Sequence, residues 1–146
     1  MADINNSYVG TLPTAPNPAL RTLDPLVGTW RISGDQFNGT TTYEWMDGGF
    51  YLVQRSEADH NGRRFTAVEY IGHDPDTDTL RSVMLDSAGS KFAYTWQLDG
   101  DQLTIWFGDR GSDNFLSATV DPSGDTIKGA WQWPGGGYAA TMTRIR

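Results

Sequence analysis

Cysteine is absent from the 146 residues, which excludes disulfides, thiolate metal sites and a thiol nucleophile. The absence suits a reducing compartment, and the cytoplasm is the expected location. Histidine is scarce, with only His60 and His73 in the chain. Basic residues are few and scattered: 11 Lys and Arg against 18 Asp and Glu give a formal net charge of -7. That balance repels phosphate backbones, so nucleic acid is not an expected partner. No apolar run approaches membrane-spanning length, and the opening MADINNSYVGTLPTAPNPAL has neither the basic start nor the apolar core of a signal peptide. No membrane association is expected, nor any metal or cofactor.

What the chain does contain is enough apolar material, 38% of its residues, to bury a core without covalent staples. Residues 1–22 are rich in Asn, Pro and Ala with little periodicity and read as an arm, with a short helical turn at 18–23. Residues 23–146 read as a single domain. From Leu26 onward, short β-branched and aromatic runs alternate every eight to twelve positions with Gly, Asp, Asn and Pro, the pattern of an all-β chain. Ten runs stand out, near 28–34, 40–47, 50–58, 64–72, 79–86, 91–98, 101–108, 114–121, 126–133 and 138–145. Consecutive strands on short links pair most simply as an up-and-down meander, and ten can close on themselves to remove both edges. The expected fold is a ten-stranded antiparallel β-barrel with an N-terminal arm.

Side-chain parity tests this arrangement, because residues facing each other across a pair lie on one face. A turn at Gly48-Gly49 pairs Trp45 with Leu52 and Tyr43 with Gln54. A turn over 74–77 pairs Ile71 with Leu80, Glu69 with Ser82 and Ala67 with Met84. Asp99-Gly100 is a strong hairpin signal and pairs Leu98 with Asp101, Trp96 with Leu103 and Tyr94 with Ile105. A turn over 134–137 pairs Trp133 with Tyr138 and Trp131 with Ala140. Apolar residues of independent strands thus share one face, while Arg55, Glu57, Lys91, Gln97 and Lys128 fall on the other. The first face is the expected interior. Links at one end (47–49, 74–77, 99–100, 122–125) are tight. Those at the other (34–40, 59–63, 87–90, 108–113, 134–137) are longer and richer in Gly, which places the mouth there and leaves the arm to plug the tight end.

Leu26-Val27-Gly28-Thr29-Trp30 at the first strand and Thr141-Met142-Thr143-Arg144 at the last resemble the calycin superfamily, which includes lipocalins, fatty-acid-binding proteins and nitrobindins. There, a Gly-x-Trp on strand one packs under a basic residue of the final strand. The resemblance implies that Arg144 lies over the Trp30 indole, a contact worth on the order of 1 kcal/mol that closes the barrel. Gly48-Gly49-Phe50, Leu103-Thr104-Ile105-Trp106 and Gly129-Ala130-Trp131 further resemble a bacterial lipocalin-like family of unknown function. Only 34–39 separates the first two strands, so the helical lid of fatty-acid-binding proteins is missing and fatty acid is not implied. The late histidine through which nitrobindins hold haem is missing too, which disfavours haem.

The expected interior is strongly aromatic. Five of the six tryptophans fall inside, only Trp106 pointing away, and broad rigid faces suit stacking on a flat ligand. Candidate ligand-binding residues are Trp96, Trp131, Trp133, Phe92 and Tyr138, with Met84 and Ser82 beside them. Tyr43, Gln54 and Tyr94 form a polar band at mid-barrel that can orient a ligand or bridge water. The bland alternative is an interior filled by its own side chains, as in smaller barrels. Glu69 is expected to point inward, where an isolated carboxylate is costly unless paired, hydrogen-bonded or protonated. It is a candidate general acid or base, with Tyr94 as a second candidate proton carrier. An ion pair with Arg144, or a one-residue register slip that turns Glu69 outward, competes with that reading.

Other motifs are weaker. Asp74-Pro75-Asp76-Thr77-Asp78 imitates an EF-hand loop, but Thr79 and Leu85 stand where Gly and Glu are required, so it reads as a turn. Gly135-Gly136-Gly137 precedes no helix and cannot cradle phosphate. Asp86 either stands beside a ligand near the mouth or caps the 87–90 loop. Both histidines lie away from the mid-barrel serines, so no Ser-His-Asp triad forms. Three functions follow as expectations: a module binding a small apolar or aromatic molecule, a cofactor-free cyclase or isomerase using Glu69 or a tyrosine, or a solid barrel that dimerises through an outer face bearing Trp106 and Tyr70.

Overall fold

The computed structural model describes Gly10 and residues 12–146; the expected arm's residues 1–9 and 11 lie outside the described residues. Ten antiparallel strands close into a barrel: β1 (Gly28–Ser33), β2 (Phe37–Trp45), β3 (Leu52–His60), β4 (Arg63–Asp74), β5 (Thr79–Asp86), β6 (Lys91–Asp99), β7 (Gln102–Phe107), β8 (Phe115–Val120), β9 (Thr126–Trp133) and β10 (Gly136–Ile145). Each strand pairs with its sequence neighbours, and β1 returns to β10 through the register Trp30 to Arg144. No helix among the described residues is long and apolar enough to cross a membrane.

One end is sealed by a 3-10 helix, Pro18–Leu26. Asn17 caps it, its side chain accepting from Ala19 N at 2.9 Å, and Pro18 enters at a position where no donor is needed. Leu20, Leu23 and Leu26 recur every third residue, which in a three-residue-per-turn helix puts all three on one face. That face is essentially inaccessible and packs on Trp30, Leu52, Ile71 and Leu98. The helix therefore runs three residues beyond the expected turn, because Leu26 is the third apolar tooth of the same row. Trp45 holds the helix from the barrel side, its Nε1 donating to Asp24 at 2.9 Å while Arg21 lies 4.8 Å over its ring.

The Gly28-x-Trp30 motif and Arg144 form the latch of this end. Gly28 has φ +129, and a Cβ there would stand 2.5 Å from Arg144 Nη1. Arg144 thereby reaches past it to donate to the carbonyls of Val27 and Pro25, pairs with Asp125, and sits 4.2 Å over the Trp30 ring. The indole itself is fully buried and donates to the Leu26 carbonyl at 2.8 Å.

The register at Gly48-Gly49 is as expected, with Trp45 opposite Leu52 and Tyr43 opposite Gln54. Three other hairpins are displaced by two residues. Trp96 faces Ile105 and Leu98 faces Leu103, because Gly100 (φ +61) takes the first central place of the turn, the glycine position of a type II′ turn. Ile71 faces Ser82, Glu69 faces Met84 and Ala67 faces Asp86. Here Asp74 ends β4 and binds Asp76 N and the Thr77 hydroxyl, which moves the turn to 75–78. Trp131 faces Tyr138 and Trp133 faces Gly136 around a Pro134-Gly135 turn. A two-residue shift preserves parity, so every expected face survives.

Three of the five links at the mouth are shorter than expected, while 87–90 is as expected and 108–114 is one residue longer. His60 pairs with Arg63 across Asn61-Gly62, both at positive φ, and β2 begins at Phe37. The barrel opens at this end because the opposite end holds the helical plug.

Candidate functional site

Above the plug lies a cavity of about 420 Å³. Its existence follows from side-chain size. Ala140, Gly129 and Ala118 lie in cross-strand register over three neighbouring strands, leaving one wall nearly bare. Ala67 and Ser56 face each other on another wall. A ring of ten strands is also wider than the roughly eight whose side chains just fill the middle.

The opposite wall carries a cross-strand row on β2 to β6, Tyr43, Gln54, Glu69, Met84 and Phe92, all lining the cavity. Tyr94, Trp96 and Trp131 complete the aromatic surround, with Tyr94 5.9 Å from the Trp131 ring. Tyr138 stands at the mouth against Phe37 and His60. Two expected ligand residues stand apart from the cavity. Ser82 is buried behind Glu69, because Met84 rather than Ser82 is its direct neighbour. Trp133 is the last residue of β9, so it projects past the wall with 39% of its surface exposed, its ring lying over Gly136 and 6.0 Å from that of Tyr138. Trp30 and Trp45 lie below, in the plug.

The Glu69 side chain points inward at 6% exposure. Ser82 Oγ donates to its Oε2 at 2.6 Å and Trp96 Nε1 donates to the same oxygen at 3.0 Å. The alternative of an ion pair with Arg144 is overturned, since that guanidinium is engaged by Asp125 and the plug carbonyls. Burial pushes the Glu69 carboxyl up to about 7, outweighing the two hydrogen bonds that favour the anion. Gln54 Nε2 donates to Tyr43 Oη. Burial, and next the charge of Glu69, raise the phenols of Tyr43 and Tyr94, while burial holds Tyr138 at about 12. All three phenols are therefore neutral donors at ordinary pH.

Asp86 lines the cavity and also caps the following loop, its Oδ1 accepting from Ala88 N and Ser90 N. The Asp74 segment is a turn, and among the described residues no cluster of His, Asp and Glu suited to a metal ion occurs. Sequence reasoning missed the mouth residues Phe37, His60, Arg63 and Phe65. The signal was present: parity continued from Tyr43 reaches Phe37, from Ser56 reaches His60, and from Ala67 reaches Phe65 and Arg63.

A family model described as "Protein of unknown function (DUF1579)" matches residues 15–105. No curated protein matches the chain. A solved structure of a de novo designed fluorescence-activating beta barrel is 15% identical, covers 85% of this chain and 97% of its own, and superposes with a TM-score of 0.48.

Proposed function

Since the chain belongs to the DUF1579 family, whose description names no activity, we propose from the cavity itself that the protein is a binding module for a small apolar or aromatic molecule. The observation that carries this reading is the aromatic-walled space of about 420 Å³, within the range of small-molecule pockets and furnished with few polar groups. Trp96, Trp131, Phe92 and Tyr138 supply faces for stacking, Met84 an adaptable contact, and Tyr43, Gln54 and Tyr94 the orienting polar atoms. The Gly28, Trp30 and Arg144 latch supports placement among the calycins. The lack of cysteine supports a cytoplasmic site of action, and the shared core, which takes in Leu20 of the helix as well as the strands, supports a single domain that begins before residue 23.

Native mass spectrometry of the protein as purified, followed by denaturing release, tests the proposal. A copurified organic molecule whose addition to stripped protein quenches tryptophan emission is the expected result. Persistent absence of any bound species, with no change in emission or melting temperature across a panel of polycyclic compounds, would refute it.

A second reading is favoured by Glu69 alone: an acid at the cavity wall with its carboxyl near 7 has the properties of a general acid or base. In a cofactor-free cyclase or isomerase, Glu69 would move a proton and Tyr94 would donate to a developing oxyanion. A Glu69→Gln variant should then lose roughly 10²–10⁴-fold in turnover of the substrate; unchanged turnover excludes that role.

A further inference from the structure

Several polar atoms of the cavity lack a protein partner among the described residues, including Gln54 Oε1, the Tyr94 hydroxyl and Asp86 Oδ2, and the most deeply buried carboxyl oxygen of this kind is on Glu69. Both donors to Glu69 converge on Oε2, and Oε1 receives no hydrogen bond from any described residue. Among the described residues no enclosed side-chain nitrogen or oxygen lacks a partner, so Oε1 is reached from the open space of the cavity. Carboxylates meet such a demand with a cation or a further donor.

No side-chain cation of the described residues supplies it. Arg55, Arg64 and Arg81 pair with acids on the outer surface, and Arg144 is spent on the latch. Arg63 and His60 are the basic residues lining the cavity and face each other across the β3–β4 turn at the mouth, with Arg63 six residues from Glu69 on β4, roughly 20 Å at the rise of a strand. The other acid on the lining, Asp86, adds negative charge. A carboxylate ligand placed deep in this space would meet a like charge, whereas a nitrogen donor would meet a free acceptor. The surrounding rings reinforce the preference, because the faces of Trp96, Trp131 and Tyr94 attract a cation.

We infer that the ligand is an organic base, an aromatic or polycyclic body bearing an amine or similar N–H donor that docks on Glu69 Oε1. The inference rests on the binding function proposed above and adds the charge class of the ligand. Its hydrogen bond is charge-assisted and desolvated, which makes it stronger than a neutral equivalent.

Three probes of one shape test it by titration calorimetry on the intact protein near pH 8: 1-naphthylmethylamine, 1-naphthalenemethanol and 1-naphthoate. The amine should bind at least about tenfold tighter than the alcohol, and the naphthoate most weakly. In Glu69→Gln the amine should lose about tenfold or more, while the alcohol stays within about threefold and reports that the variant is folded. Should that variant not fold, the ranking of the three probes on the wild-type protein decides by itself. Alcohol or naphthoate binding as tightly as the amine would overturn the inference while leaving the binding function standing. Amine affinity unchanged in a folded Glu69→Gln protein would overturn it too. Failure of all three to bind would remove the binding function and the inference together.

Discussion

Replacing Glu69 by glutamine should stabilise the protein at alkaline pH and leave it unchanged in acid. Burial raises the carboxyl from its ordinary 4.5 to about 7, and the bonds from Ser82 and Trp96 offset only part of that. An acid whose folded-state pKa lies above its unfolded value opposes folding once ionised. Below pH 4.5 both states hold the proton and nothing is lost. Between 4.5 and about 7 the unfolded chain releases its proton while the folded one keeps it, and stability falls by about 1.4 kcal/mol per pH unit. Above that window the loss levels off at about 3 kcal/mol. Glutamine cannot ionise, and its carbonyl oxygen can accept from Ser82 Oγ and Trp96 Nε1 as Oε2 does. Asp74 and Asp121, whose carboxyls are held low first by their bonds to Thr77 and Ser123, titrate alike in both proteins and cancel in the difference. Urea denaturation at several values between about pH 4 and pH 8.5 gives that difference directly. It should climb from near zero to about 2–3 kcal/mol in favour of the variant. A flat difference, or a variant less stable at the alkaline end, would refute the picture of a buried carboxylate without a cation.

Arg144→Met should cost about 3 kcal/mol, since it removes the ring contact with Trp30 and orphans carbonyls that now accept charged hydrogen bonds; the midpoint of denaturation measures it. Gly28→Ala should cost a comparable amount through strain at φ +129 and displacement of the same guanidinium, so the double variant should fall short of the sum, which a double-mutant cycle detects. Leu23→Ala, at a position with 0% exposure under the barrel, should lose about 3 kcal/mol. Its melting temperature should drop accordingly, and an unchanged melt would mean that the helix is not an integral plug.

The barrel was legible because its faces obey a period of two. Register errors of two residues at 75–78, 100–101 and 134–135 left Glu69, Trp96 and Trp131 on the interior face. Turn placement was less legible, since it depends on which residue accepts a positive φ or binds its own backbone, as Gly100 and Asp74 do. Asn61-Gly62 is a hairpin signal of the strongest kind, and treating 59–63 as an open loop hid His60 and Arg63 from the list of lining residues. The partner of Arg144 was beyond sequence reasoning of this sort. Parity turns both Arg144 and Glu69 inward, but only the three-dimensional position of the plug carbonyls draws the guanidinium down and away from the cavity. Ser82 shows the same limit: parity placed it inside, and its diagonal position beside Glu69, with Trp96 Nε1 donating to it at 3.0 Å, turns it to Glu69 rather than the open space.

The most direct test of the central claim is a fluorescence titration with the neutral apolar probe N-phenyl-1-naphthylamine on the wild-type protein and on Ala67→Phe. Ala67 lines the cavity between Ser56 and Asp86, and the added ring occupies the space that a ligand would use without crowding the plug. A saturable enhancement at one site per wild-type chain, abolished in a variant whose melting temperature is unchanged, is the predicted result. Absence of saturable binding, or equal binding by the filled barrel, would contradict the account.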